Sequence, residues 1–74
     1  MTKFPSLKPR EVEKILLKNS FIIKRQSGSH RIFYNSGLDS IVILPVHSKD
    51  IPTGTLRSII KQSKLSDGQF LKKK

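Results

Sequence analysis

The chain has 74 residues, a length that fits one small domain with a single hydrophobic core. It contains no cysteine, which excludes a disulfide framework and a thiolate metal site. Apolar runs such as 41–44 are far too short to cross a bilayer, and the first ten residues lack the apolar stretch of a signal peptide. We therefore expect one domain over residues 1–74, with its core at about 5–71 and a basic tail at 72–74, in a cytoplasmic protein that does not contact membranes.

The charge of the chain indicates what kind of partner it attracts. Fifteen Lys and Arg residues face five acidic residues, which gives a net charge of +10 and a pI near 10.5. A compact, strongly basic domain attracts polyanions, and nucleic acid is the commonest polyanion in a cell. Solubility, or pairing with an acidic protein partner, would explain the same charge.

The first predicted helix starts near Pro9, because proline suits the first helical position. Glu11 and Glu13 fall in its first turn, where acidic side chains favour the positive end of the helix dipole. An apolar stripe follows at i, i+3, i+4 spacing. Its members are Val12, Ile15 and Leu16.

Three strand-like runs follow the helix. They cover residues 21–26, 30–35 and 40–45. The first two are separated by "SGS", which predicts a three-residue hairpin loop with Gly28 at positive φ. A turn around Gly37 separates the second run from the third.

A second helix is predicted from Pro52 or Thr53, and a short final turn then brings Phe70 back onto the core. The element order is therefore α-β-β-β-α. Burying the apolar stripes of both helices predicts an α+β fold, with a three-stranded antiparallel sheet and both helices on one face. Double-stranded-RNA-binding domains share this order, which is an analogy of fold alone.

Regular hairpins would pair His30 with Gln26 on the first strand and with Pro45 on the third, and Lys24 with Ile32. The face with the phenylalanines is then expected to meet the helices. A slip of one residue would exchange the two faces. The face predicted to stay open carries Ile22, Lys24, Gln26, His30, Ile32, Tyr34, Ile41 and Ile43.

In this arrangement His30 and His47 run out at the same end of the sheet, and Lys24 and Arg25 approach that end as well. Cleavage of RNA without a metal needs a base for the 2′-OH proton, an acid for the leaving oxygen, and cations for the phosphorane. Histidine titrates near neutral pH and serves in either proton role, while Lys and Arg supply the electrostatic stabilisation. Gly28 lets a phosphate come close to backbone N–H groups.

Each of these residues also has a structural explanation. A histidine that starts a strand is usually structural or simply exposed, and His47 can orient the loop into the second helix by hydrogen bonding. Tyr34 can pack against its neighbours or stack a base of single-stranded RNA. Two histidines without a nearby pair of acids make a poor metal site, so we expect neither a metal nor another cofactor.

Three segments together resemble the HicA toxins of bacterial and archaeal toxin–antitoxin pairs. They are "SLKPREVEKILLKNSF" (6–21), "GSHRIF" (28–33) and "LPVHSKDIPTGTLRSIIKQSKLS" (44–66). The resemblance covers about residues 5–71. Its most specific part is the combination of "GSH" with a second element, H-x-x-x-x-x-x-GTL, that runs from His47 to Leu56.

The resemblance implies a fold similar to the double-stranded-RNA-binding fold. It also implies an mRNA interferase, a toxin that cleaves mRNA without a metal and arrests translation. The catalytic residue would be His30, presented by the turn at Gly28 and Ser29. A HicB-type antitoxin protein would bind and mask the active face.

The candidate site therefore has one catalytic residue, His30, and a wider set of RNA-binding or supporting residues. Two other functions remain open: an RNA-binding module without catalysis, and a protein-interaction domain for an acidic partner. The wider set comprises Lys24, Arg25, Gly28, Ser29, Arg31 and His47.

Overall fold

The computed structural model describes residues 6–47 and 49–71. It confirms the predicted order of elements and the α+β fold with a three-stranded antiparallel sheet. The predicted tail at 72–74 and the first residue of the predicted core, Pro5, lie outside the described residues. The elements are α1 Pro9–Lys18, β1 Ile22–Ser27, β2 His30–Asn35, β3 Ser40–Pro45, α2 Thr53–Ser63 and a short α3, Gly68–Leu71.

Helix α1 begins as the sequence predicts. Pro9 occupies the first helical position, where its missing N–H leaves no intrahelical bond unmade. The backbone N–H of Lys8 donates a hydrogen bond of 2.8 Å to Glu11 Oε1, which fixes the entry of the chain into the helix. Val12 and Leu16 are fully buried, so the predicted apolar stripe is the face that meets the core.

The sheet has the order β1-β2-β3, so β2 is central and both other strands are edges. The register of β2 against β3 is the predicted one throughout, from His30 opposite Pro45 to Asn35 opposite Ser40. Burial alternates along β3, with every second residue buried. This alternation fixes which face of the sheet meets the helices.

The register of β1 against β2 follows the prediction only at its start, where Ile23 lies opposite Phe33. A β-bulge at Lys24 then shifts the pairing by one residue, so that Arg25 rather than Lys24 lies opposite Ile32. The predicted pairing of Lys24 with Ile32 is therefore wrong. A bulge re-aims the side chains that follow it, and this one changes which residues of β1 share the face of His30.

One hydrophobic core lies between the sheet and the helices, and Phe70 of α3 closes it, as predicted. Among the described residues, no helix is long and apolar enough to span a membrane. The opposite side of the sheet points away from this core, and we call it the open face. The core residues are Leu7, Val12, Leu16, Phe21, Phe33, Val42, Leu44, Ile51, Leu56, Ile59, Ile60 and Phe70.

Candidate functional site

The turn before His30 is tighter than predicted. Ser27 pairs directly with His30, so the loop contains only Gly28 and Ser29, and the predicted three-residue loop is wrong. Gly28 has a φ of +59°, as expected, while Ser29 is not among the residues with positive φ. Positive φ at the first of two central residues is the pattern of a type II′ hairpin turn, which favours glycine there.

The space around this turn is open. A Cβ atom placed on Gly28 would have no heavy atom within 4 Å, apart from its chain neighbours. The backbone at the turn is therefore accessible to a ligand, and the positive φ rather than crowding explains why the position suits glycine.

His30 is exposed and lies on the open face. Alternation along β2 puts it on the side opposite buried Phe33 and on the same side as Ile32 and Tyr34. Its partners across the sheet are Ser27 and Pro45. The face is the one that the sequence predicts for His30, but the predicted pairing of His30 with Gln26 is wrong, because the bulge shifts Ser27 into that position.

Arg25 is the cation of β1 that the register places diagonally across from His30 on the open face. It lies opposite Ile32, two residues along β2 from His30, which makes Arg25 and His30 diagonal neighbours. Diagonal neighbours on one face of an antiparallel pair are about 7–8 Å apart at their Cα atoms, a distance that a long side chain can cover.

Lys24 faces the same side of the sheet. Its Nζ atom lies 5.0 Å from the centroid of the Tyr34 ring, and Tyr34 belongs to the open face. The bulge thus turns two consecutive basic residues, Lys24 and Arg25, toward the open face, where a regular strand would present only one. We call these two residues the open-face cation pair.

Gln26 is predicted on the open face and lies on the other one. It pairs with Arg31 and accepts a hydrogen bond of 3.0 Å from Arg31 Nε. The physical reason is again the bulge at Lys24, which shifts every later residue of β1 to the opposite face.

Arg31, a candidate RNA-binding or supporting residue, lies on the helix side of the sheet. Its Nη1 atom donates to both carboxylate oxygens of Glu13 on α1, at 2.8 and 3.0 Å. The side chains of Arg31 and Glu13 are 25% and 23% exposed. Arg31 therefore ties β2 to α1 next to His30 and does not join the open-face cation pair.

The segment that carries His47 is anchored at the hairpin. The backbone N–H of Val46 donates to the carbonyl of Ser29 at 2.8 Å, which continues the β2–β3 ladder beyond His30 and Pro45. Exposed His47 follows directly, so both histidines lie at the hairpin end of the sheet, as the sequence predicts. Further along the loop, the N–H of Ile51 donates to the carbonyl of Leu7 at 3.0 Å.

The acidic residues of the chain lie outside the three strands that form the open face. None of the three strands contains an acidic residue. Glu13 pairs with Arg31, and Asp50 lies 3.9 Å from Lys8 in an exposed pair. Within residues 6–47 and 49–71, no three His, Asp or Glu side chains come together as a metal site would require.

The structure therefore brings Arg25, Gly28, Ser29 and His30 together at the hairpin end of the sheet, and the segment of His47 is hydrogen bonded to the same turn. Lys24 lies further along the open face, over Tyr34, and Arg31 lies on the helix side. The residue that sequence reasoning missed is Glu13. Its position near the start of the helix suggested only a helix-dipole role. Its pairing with Arg31, 18 residues away, depends on how α1 packs against β2.

The fold and the site define a small, basic α+β protein that presents a histidine and two cations on an open sheet face. The family model described as HicA toxin of bacterial toxin–antitoxin matches residues 9–65. The match covers more than half of the chain, including both histidine motifs, and the chain belongs to the HicA toxin family of toxin–antitoxin systems. A search of the curated proteins finds no match.

Proposed function

We propose that this toxin is a metal-independent endoribonuclease that cleaves mRNA and so arrests translation in the cytoplasm. His30 is the general acid or base of the reaction. The observation that carries the proposal is the position of His30, which is exposed on a sheet face that also carries Arg25 and Lys24 and has no acidic residue in its strands. Membership of the HicA family supports the same function.

The reaction needs two proton transfers. A base removes the proton from the 2′-oxygen, which attacks the adjacent phosphorus, and the bond from phosphorus to the 5′-oxygen breaks. An acid gives that leaving oxygen its proton. His30 has the chemistry for either role, since imidazole is both a base and, when protonated, an acid near neutral pH.

Arg25 would stabilise the charge that develops on the phosphate oxygens in the transition state. It is the diagonal neighbour of His30, whereas Lys24 lies further along the same face, over the ring of Tyr34. The turn at Gly28 leaves room for a phosphate to approach the backbone. His47 is the candidate for the second proton transfer, because its segment is hydrogen bonded to the same turn.

The partner that silences the toxin is proposed to be a HicB-type antitoxin that covers the open face. Isoleucines on that face are exposed in the free protein, among them Ile22 at 60%, Ile41 at 51% and Ile43 at 48%. Exposed apolar side chains of this size on one face are typical of protein contact sites. Acidic groups of the antitoxin would complement the open-face cation pair.

The test compares wild-type protein with His30→Ala and His47→Ala in two assays, growth arrest after induction and cleavage of RNA by purified protein. We expect His30→Ala to lose both activities while its circular dichroism stays unchanged, because the side chain is exposed. An RNA with 2′-O-methyl groups should resist cleavage, and EDTA should have no effect. A folded His30→Ala protein that still cleaves RNA would contradict the assignment.

The same assays separate the alternatives. A non-catalytic RNA-binding module would bind RNA in a salt-sensitive way without cutting it, and His30→Ala would weaken binding no more than Lys24→Ala. A protein-interaction domain would fail to bind RNA even at low salt. If His47→Ala is as inactive as His30→Ala but remains folded, His47 is assigned to the second proton transfer.

A further inference from the structure

Tyr34 occupies a position on the open face that catalysis by His30 does not explain. It is the only tyrosine of a chain without tryptophan. Its partners across the sheet are Ile22 and Ile41, which are themselves 60% and 51% exposed. The ring is only half-buried and lies on the opposite side from Phe33, which fills the core. Packing of the core therefore does not account for an aromatic residue here.

The surroundings of the ring combine two kinds of contact. Lys24 Nζ lies 5.0 Å from the ring centroid, and the flanking isoleucines provide an apolar rim. Arg25 follows Lys24 on the same face. A nucleotide has the matching features, a flat base that stacks on an aromatic ring and a phosphate that binds a cation.

The Tyr34 ring lies on the same face as His30 but at a distance from it. Tyr34 lies four residues from His30 along β2, and a rise of about 3.3 Å per residue places the two Cα atoms roughly 13 Å apart. Both side chains face the same way, so one strand of RNA lying along β2 can contact both.

We propose that Tyr34 is a base-stacking site for single-stranded RNA, separate from the point of cleavage at His30. The base stacks on the Tyr34 ring, and the Lys24 ammonium leaves the ring for the phosphate of the same nucleotide. This inference rests on the proposed ribonuclease function and adds a binding site to it. The charge of the surface favours RNA over an apolar protein segment as the occupant, because Lys24 lies over the ring and Arg25 lies further along the same face.

The fluorescence of Tyr34 tests this directly, since no other residue of the chain contributes tyrosine or tryptophan emission. The protein used is His30→Ala, which keeps the RNA intact during the titration. The probes are a short single-stranded RNA and an abasic strand of the same length and charge. We expect saturable quenching by the RNA and little change with the abasic strand. Equal responses to both strands would overturn the proposal, because charge alone would then explain them.

Two substitutions give a second measurement, made by the anisotropy of labelled RNA. In the His30→Ala protein, Tyr34→Leu should weaken RNA binding on the order of tenfold, and Tyr34→Phe should leave binding nearly unchanged because it keeps the ring. Circular dichroism establishes that both variants are folded. If Tyr34→Leu is unstable, the fluorescence titration still tests whether a base stacks on Tyr34, because that experiment needs no substitution at Tyr34.

The outcomes distinguish this inference from the function on which it rests. If wild-type protein cleaves RNA and folded Tyr34→Leu binds and cleaves as well as wild type, the stacking site is refuted and the nuclease stands. If Tyr34→Leu impairs only the binding of an antitoxin protein, the face at Tyr34 serves protein contact and the stacking site is again refuted. If wild-type protein neither binds nor cleaves RNA, the proposed function itself fails.

Discussion

The ion pair between Glu13 and Arg31 is expected to stabilise the toxin far more than an ordinary surface pair. Arg31 Nη1 contacts both carboxylate oxygens of Glu13, at 2.8 and 3.0 Å, and the two side chains are about three-quarters buried. Exposed pairs contribute about 0–1 kcal/mol, whereas breaking a fully buried pair costs about 3–5 kcal/mol. The intermediate burial here means that Glu13→Gln should lower the free energy of unfolding by about 2 kcal/mol.

The assay is a double-mutant cycle with Glu13→Gln, Arg31→Gln and the double variant, all in the His30→Ala protein to remove toxicity. Thermal unfolding followed by circular dichroism should show a fall in Tm of roughly 10 °C for Glu13→Gln, since each kcal/mol moves the Tm of so small a domain by about 4–8 °C. The coupling energy between the two positions should be about 1–2 kcal/mol.

The chain contains a matched control in the pair of Lys8 and Asp50, which lie 3.9 Å apart with side chains 59% and 58% exposed. A cycle with Lys8→Gln and Asp50→Asn should give a coupling below about 0.5 kcal/mol, and added salt should abolish it. If the coupling of Glu13 and Arg31 is no larger than this, the argument from burial and geometry is wrong.

Two further predictions concern the open face and its turn. Alanine at both positions of the open-face cation pair should reduce the slope of log K against log salt for RNA binding by about 0.7 for each phosphate that is no longer neutralised. Alanine at Lys18 and Lys61 on the helices removes the same charge and should have a smaller effect on this slope. Equal effects of the two double variants would mean that net charge alone drives RNA binding. Gly28→Ala should lower the free energy of unfolding, measured with urea, by about 1 kcal/mol because Gly28 has a positive φ. The control Gly54→Ala in α2 should be neutral or stabilising. An unchanged stability of Gly28→Ala would contradict the argument from φ and show that the turn changes its conformation.

The register of the second hairpin could be predicted from its loop, because a turn at residues 36–39 pairs Asn35 with Ser40. Along β3 the residues Val42 and Leu44 are buried and their neighbours Ile41 and Ile43 are exposed. A slip of one residue would exchange the two sets, and because residues 41–44 are all apolar, the sequence pattern alone does not exclude that slip.

The loop of the first hairpin did not allow the same prediction. All six residues of β1 are exposed, including Ile22 and Ile23, which are adjacent and point to opposite faces. The burial of β1 therefore does not depend on its register. The strand also contains no glycine or proline from which the bulge at Lys24 could be predicted. The positive φ of Gly28 was predictable because turn chemistry is local, whereas the length of the loop depends on the register and was not.

The pairing of Arg31 explains why the bulge is favourable. In the regular register that the sequence suggests, Arg25 would lie directly opposite Arg31 on the helix side, where Glu13 could neutralise only one of them. Like charges directly opposite on one face of a sheet are destabilising. The bulge replaces this pair with Gln26 opposite Arg31, joined by a hydrogen bond of 3.0 Å, and sends Arg25 to the open face. The same shift that relieves repulsion at the helices therefore places Arg25 beside His30 and leaves two cations on the open face, so the stability of the hairpin and the charge of the proposed catalytic face have one cause.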